Sequence, residues 1–190
     1  MRLRARVAFL FIFIGLTATA FAQQTDGRFE AGVQFTVAKL HWVDEIPGGF
    51  GGRFTWDLLQ KKNFVLSPEV EVNYFPQNRF GRFGETELLT GIKAGARIEK
   101  FGLFAKARPG LVHFGGDTFR QIYGDTSTNF ALDVGGVFEY YPSSRISLRV
   151  DMGDTMVYSP QPLYRTIPGV VGPTGNFHNF QTQFGIGFRF

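Results

Sequence analysis

The chain has 190 residues, 20 basic against 16 acidic side chains, a formal net charge of +4 and no cysteine. Without cysteine there is no disulfide framework, although an exported domain could use one. Phenylalanine (23) and glycine (24) dominate, and leucine-rich helical periodicity is absent, so the bulk composition points to β-structure.

The first element is a leader. Arg2, Arg4 and Arg6 precede an apolar run over residues 7–16, and Ala20-Phe21-Ala22 supplies a small-x-small site. That pattern is a secretory signal peptide over residues 1–22, cleaved after Ala22. As a membrane anchor the run falls short of the roughly 20 apolar residues a spanning helix needs. Cleavage removes three basic residues and no acidic ones, leaving 17 against 16 in a mature chain of residues 23–190. The high isoelectric point therefore belongs largely to the leader and is no argument for a nucleic-acid partner. The mature length fits a single domain.

Eight segments of period-2 alternation follow. Residues 29–40 set Phe29, Ala31, Val33, Phe35 and Val37 on one face. Residues 49–58 set Phe50, Phe54, Trp56 and Leu58 against Arg53, Thr55 and Asp57. Residues 64–75 oppose Val70, Val72 and Tyr74 to Glu69, Glu71 and Asn73, and residues 86–98 oppose Leu88, Ile92 and Ile98 to Glu87, Lys93 and Arg97. In residues 102–114, Leu103, Ala105 and Leu111 face away from Lys106 and Arg108. Pro109 predicts a bulge there, since proline cannot donate to a ladder. Residues 128–141 set Phe130, Leu132, Val134, Phe138 and Tyr140 against Asp133 and Glu139. Residues 145–157 set Ile146, Leu148, Val150 and Met152 against Arg149 and Asp151. Residues 180–190 set Phe180, Phe184, Ile186, Phe188 and Phe190 against Gln181, Gln183 and Arg189.

Links after the second, fourth and sixth segments are short (59–63, 99–101 and 142–144), and the others are long, residues 158–176 being the longest. No continuous apolar run near 18 residues follows the leader, so any membrane crossing must use strands closed into a barrel. Together these features predict an all-β chain: an eight-stranded antiparallel up-and-down transmembrane β-barrel. A soluble sandwich would explain the alternation, but not the phenylalanine-rich outer face or the aromatic terminus. Trp56, Tyr74, Tyr140 and Phe190 are candidates for the interfacial aromatic girdles.

The strand register sends Arg53, Lys93, Arg97, Lys106, Arg108, Arg149 and Arg189 inward with Asp57, Glu69, Glu71, Glu87, Asp133, Glu139 and Asp151. An eight-stranded barrel is only wide enough for side chains to fill it. Charges packed there must pair, so the expectation is a salt-bridged plug rather than a wide aqueous channel.

Motifs for other chemistry fail individually. The glycine run 47–52 lacks the Lys-Ser/Thr and helix of a phosphate loop. His41, His113 and His178 are too scattered to predict a metal site, and Asp117 and Asp125 read as solvated loop acids rather than calcium ligands. No cofactor is implied. No histidine is followed at the second position by serine: Val43, Gly115 and Phe180 stand there. The nucleophile–base arrangement of a hydrolase is thus without support, and a non-enzymatic protein is expected.

Leader, eight alternating segments, alternating short and long links, charged inner face and terminal Phe190 resemble the small eight-stranded outer-membrane barrel family that includes the OmpA transmembrane domain and OmpX. The resemblance covers residues 29–190 and carries no residue-specific catalytic motif. It implies location in the bacterial outer membrane with both termini periplasmic, and contact with outer-membrane lipid and lipopolysaccharide. It also implies insertion by the barrel-assembly machinery, with Phe180, Phe184, Ile186, Phe188 and Phe190 resembling the C-terminal assembly signal. Nothing follows the last strand, so a peptidoglycan-binding domain is not expected. The function this suggests is envelope integrity or surface interaction through extracellular loops. Loop 158–176, stiffened by Pro160, Pro162, Pro168 and Pro173, is the leading partner-facing surface. The alternatives are a narrow pore or small-solute channel and, after that, a lipid A-modifying enzyme.

Overall fold

A computed structural model describes residues 27–40, 46–76, 84–115, 126–159 and 175–190. They form β1 (Phe29–Leu40), β2 (Gly48–Trp56), β3 (Leu59–Lys61), β4 (Phe64–Phe75), β5 (Gly84–Ile98), β6 (Phe101–Gly115), β7 (Ser127–Tyr140), β8 (Ile146–Ser159) and β9 (Gly175–Arg189). Every pairing is antiparallel, successive staves pair with one another, and β9 returns to pair with β1. β2 and the three-residue β3 both pair with β4, so together they act as one stave. The result is a closed eight-stranded up-and-down barrel, with no helix among the described residues. Closure matters energetically, because an open sheet edge would leave unpaired backbone groups in lipid.

The pleat sorts side chains as the alternation requires. Phe35, Phe50, Leu88, Ile92, Leu103, Phe130, Phe184 and Ile186 are exposed on the outer face. Trp56, Tyr74, Tyr140 and Phe190 also stand outward, the first and last in aromatic clusters: Phe29 stacks on both Trp56 and Phe190 with centroids 6.1 Å apart. Backbone bonds between Phe29 and Phe190 (3.0 and 2.9 Å) lock the two ends of the chain together.

Four details differ from the sequence reading. Leu59–Lys61 is strand rather than link, because Asp57 and Leu58 interrupt the stave and pairing to β4 then resumes. The last strand begins at Gly175, and Tyr158 and Ser159 belong to β8, so β8 and β9 consume both ends of the longest predicted loop. The turns at Lys62-Asn63 and Glu99-Lys100 have two residues, and Lys62 (φ 53°) and Glu99 (φ 51°) are left-handed. Finally, Pro109 makes no bulge. The β5–β6 ladder drops Thr90 and Gly91 opposite Arg108 and Pro109 and resumes in the same register. Losing one donor interrupts a ladder without requiring an inserted residue. Gly91 permits close approach here: a Cβ would lie 2.1 Å from the Ala107 carbonyl oxygen.

Candidate functional site

The inward face is the candidate site, and it is layered along the barrel axis. Toward the long links it is mixed: Ala38 packs against Phe75, and Val112, Phe114, Ala131 and Val157 cluster together, beside the buried polar side chains of Glu85, Asn129 and Asn179. Toward the short turns lies a smaller apolar group, Val65, Phe104 and Val137. Between them sits a buried network of charges.

Two arginines organise the network. Arg108 on β6 donates Nη1 to Glu69 (2.8 Å) and to Glu71 on β4, and Nε to Asp133 on β7 (2.7 Å). Arg149 on β8 grips both oxygens of Glu69 (2.5 and 2.8 Å) and donates to Asp151 (2.7 Å). β4 and β8 are four staves apart in a ring of eight, so the Arg149–Glu69 fork crosses the lumen at its full width. A second crossing runs from Gln181 on β9 to Glu87 on β5 (2.6 Å), again between opposed strands. Gln183 reaches Glu71 (2.7 Å). Lys106 bridges Asp133 (2.8 Å) and Asp151, while Lys93 pairs with Glu139 and lies 4.7 Å from the centroid of the Phe104 ring. Multidentate hydrogen bonding of this kind is what lets buried charges offset their desolvation cost.

The short-turn end is closed by Asp57, which accepts from Arg97 (2.8 Å), Arg189 (3.1 Å), Gln60 (2.9 Å) and Ser67 (2.7 Å). Burial alone would raise the Asp57 carboxyl. The hydrogen bond and charge of Arg97 outweigh it and hold the group below the ordinary aspartate value. Arg97 also donates to the Tyr141 hydroxyl (2.9 Å), which donates to Glu139; burial and the Glu139 charge push the phenol well up.

All fourteen inward candidates thus lie within the lumen. Twelve are buried, while Arg97 and Arg189 are partly exposed at the short-turn mouth. Arg53 stands apart from the central cluster, paired with Glu30 (2.8 Å). Sequence reasoning missed Glu30, Glu85 and Tyr141. Glu30 shares the inward parity of β1, and Glu85 lies one residue before the expected start of its strand. With them the described lumen holds nine acidic side chains against seven basic ones, where the sequence register places seven of each.

Glu69, Glu71 and Asp151 could geometrically share a metal ion, their ligand atoms lying within 4.8 Å of one another. Arg108 and Arg149 already occupy that convergence, so a metal there would compete with two guanidinium groups. Of the histidines, His113 and His178 lie on the outer face. His113 hydrogen-bonds Thr128 (2.8 Å), and His178 Nδ1 meets Asp154 (2.5 Å). His41, Asp117 and Asp125 lie outside the described residues.

A closed, eight-stranded, charge-filled barrel with an apolar outer face is the architecture of outer-membrane proteins. The sequence model of the outer membrane protein beta-barrel domain matches residues 8–190. The chain belongs to this outer-membrane barrel family. It is similar in fold to Neisserial surface protein A (15% identity, TM-score 0.50, covering 85% of this chain and 97% of that one). It is likewise similar to the outer membrane enzyme PagL (13% identity, TM-score 0.52, 81% and 97%). Ail, the attachment invasion locus protein of Yersinia pestis, is a looser likeness (12% identity, TM-score 0.48, 85% and 96%). No curated protein sequence matches the chain. As an outer-membrane barrel of OmpA and OmpX type, it carries its charges inside and its apolar surface toward lipid.

Proposed function

We propose that this outer-membrane barrel is a non-enzymatic, plugged protein that supports the envelope or meets a surface partner through its long links. One observation carries the reading: Arg149–Glu69 and Gln181–Glu87 span the lumen between opposed strands, leaving side chains where a pore would need water. The long links, 160–174 above all, are then the part free to vary in a partner-facing role. The leader over residues 1–22, periplasmic termini, lipopolysaccharide contact and recognition of the terminal phenylalanines by the assembly machinery belong to the same proposal. Planar-bilayer recording tests the plug. A silent membrane at high protein load is expected, and steady unitary current would favour the narrow pore.

Lipid modification is the second reading. The outward His178–Asp154 pair favours it, because a carboxylate-oriented imidazole is a general-base arrangement. Mass spectrometry of lipid A from cells with and without the gene separates the two, an altered acyl pattern favouring the enzyme.

A further inference from the structure

The two acids in excess are not scattered. Glu85 and Glu87 sit two residues apart on the same inward face of β5, both buried, near the long-link end. Glu87 accepts from two neutral amides, Asn73 (3.1 Å) and Gln181 (2.6 Å). The Glu85 carboxylate makes no side-chain hydrogen bond or ion pair to another described residue. Neither is paired with a cation among the described residues, whereas the other seven described lumen acids all are.

The facing wall carries an independent signal. Asn179 on β9 is 0% exposed, and neither its carbonyl oxygen nor its amide nitrogen has a partner. Its cross-strand neighbour Thr155 is equally buried with an unpartnered hydroxyl, and the next neighbour, Asp133, keeps one carboxylate oxygen unengaged. The Gln181–Glu87 bond fixes the alignment of the two walls. β5 and β9 both run from the long-link end, so Glu85 and Asn179 are each one inward step beyond that bond, roughly 6.6 Å along their strands. A band of unpartnered oxygens thus faces two uncompensated carboxylates.

We infer that Glu85, Glu87, Asn179 and Thr155 form a binding site for one divalent cation, of calcium type, in the upper lumen. One such ion would neutralise both carboxylates. Carboxylate, amide-carbonyl and hydroxyl oxygens are hard ligands, and calcium tolerates an irregular shell of them where magnesium demands a tight octahedron. The ion would tie β5 to β8 and β9 just below the long links. This site is independent of whether the barrel conducts or has a partner.

The test is isothermal titration of calcium chloride into the EDTA-treated mature protein, refolded in detergent, with thermal unfolding alongside. One calcium per barrel and a raised unfolding midpoint are expected. Glu85→Gln should weaken binding at least tenfold, and so should Asn179→Ala, which changes no charge and guards against misfolding of the first variant. No binding at millimolar calcium, or unchanged binding in either folded variant, would overturn the site. Tighter binding of magnesium chloride would overturn the calcium assignment.

Discussion

Glu69 shows what a buried charge demands. Both its oxygens are spoken for by Arg149, one also by Arg108, and the group is sealed from water. Replacing it with alanine removes the acceptor that Arg149 and Arg108 share, leaving Arg149 on Asp151 and Arg108 on Glu71 and Asp133, and removing one partner of a buried pair costs up to about 3–5 kcal/mol. Glu69→Ala should therefore unfold at markedly lower denaturant than wild type, as read by tryptophan fluorescence in detergent. Coupling it to Arg149→Met should restore part of the loss. Asp57 behaves differently because it titrates at the short-turn mouth. Its native value lies below its unfolded value near 3.9. The stability it contributes is complete above that range and disappears as pH falls through the native value. Between pH 6 and pH 3 the wild-type midpoint should drop, and Asp57→Asn should drop less.

At the scale of elements, the parity of each strand was legible from residue order alone, because a period of two leaves no third option once one face is apolar. β1 and β4 follow the predicted bounds, while β9 begins five residues earlier than its aromatic pattern implied. Residues Gly175 to Asn179 pair with β8 despite mixed polarity, since ladder bonds need no apolar side chain. Turn geometry was invisible for a related reason. Glu99 adopts φ 51° in a two-residue turn that favours glycine, and only the packed strands on either side hold it there. Glu99→Gly should relieve this and stabilise the barrel by about 1 kcal/mol, measured as a higher unfolding midpoint with unchanged cooperativity.

For the whole molecule, closure depends on the joint between β1 and β9, where Phe190 bonds and stacks with Phe29. Deleting Phe190 should slow assembly, seen as less of the compact, heat-modifiable form in gels and less protein in the outer membrane. Normal accumulation would reduce the terminal aromatic to packing alone. What the amino-acid order determined by itself was the barrel: alternation, link lengths and the outward aromatic surface are local properties, each confined to one strand or one connection. What only the tertiary structure decided was who meets whom inside. Arg149 and Glu69 are 80 residues apart, Gln181 and Glu87 94. Which inward side chains converge follows from closure, tilt and stagger of eight strands, and none of these is written in any single segment. Among the described residues, the same geometry sets two acids without a cation on one wall, facing unpartnered oxygens on the other.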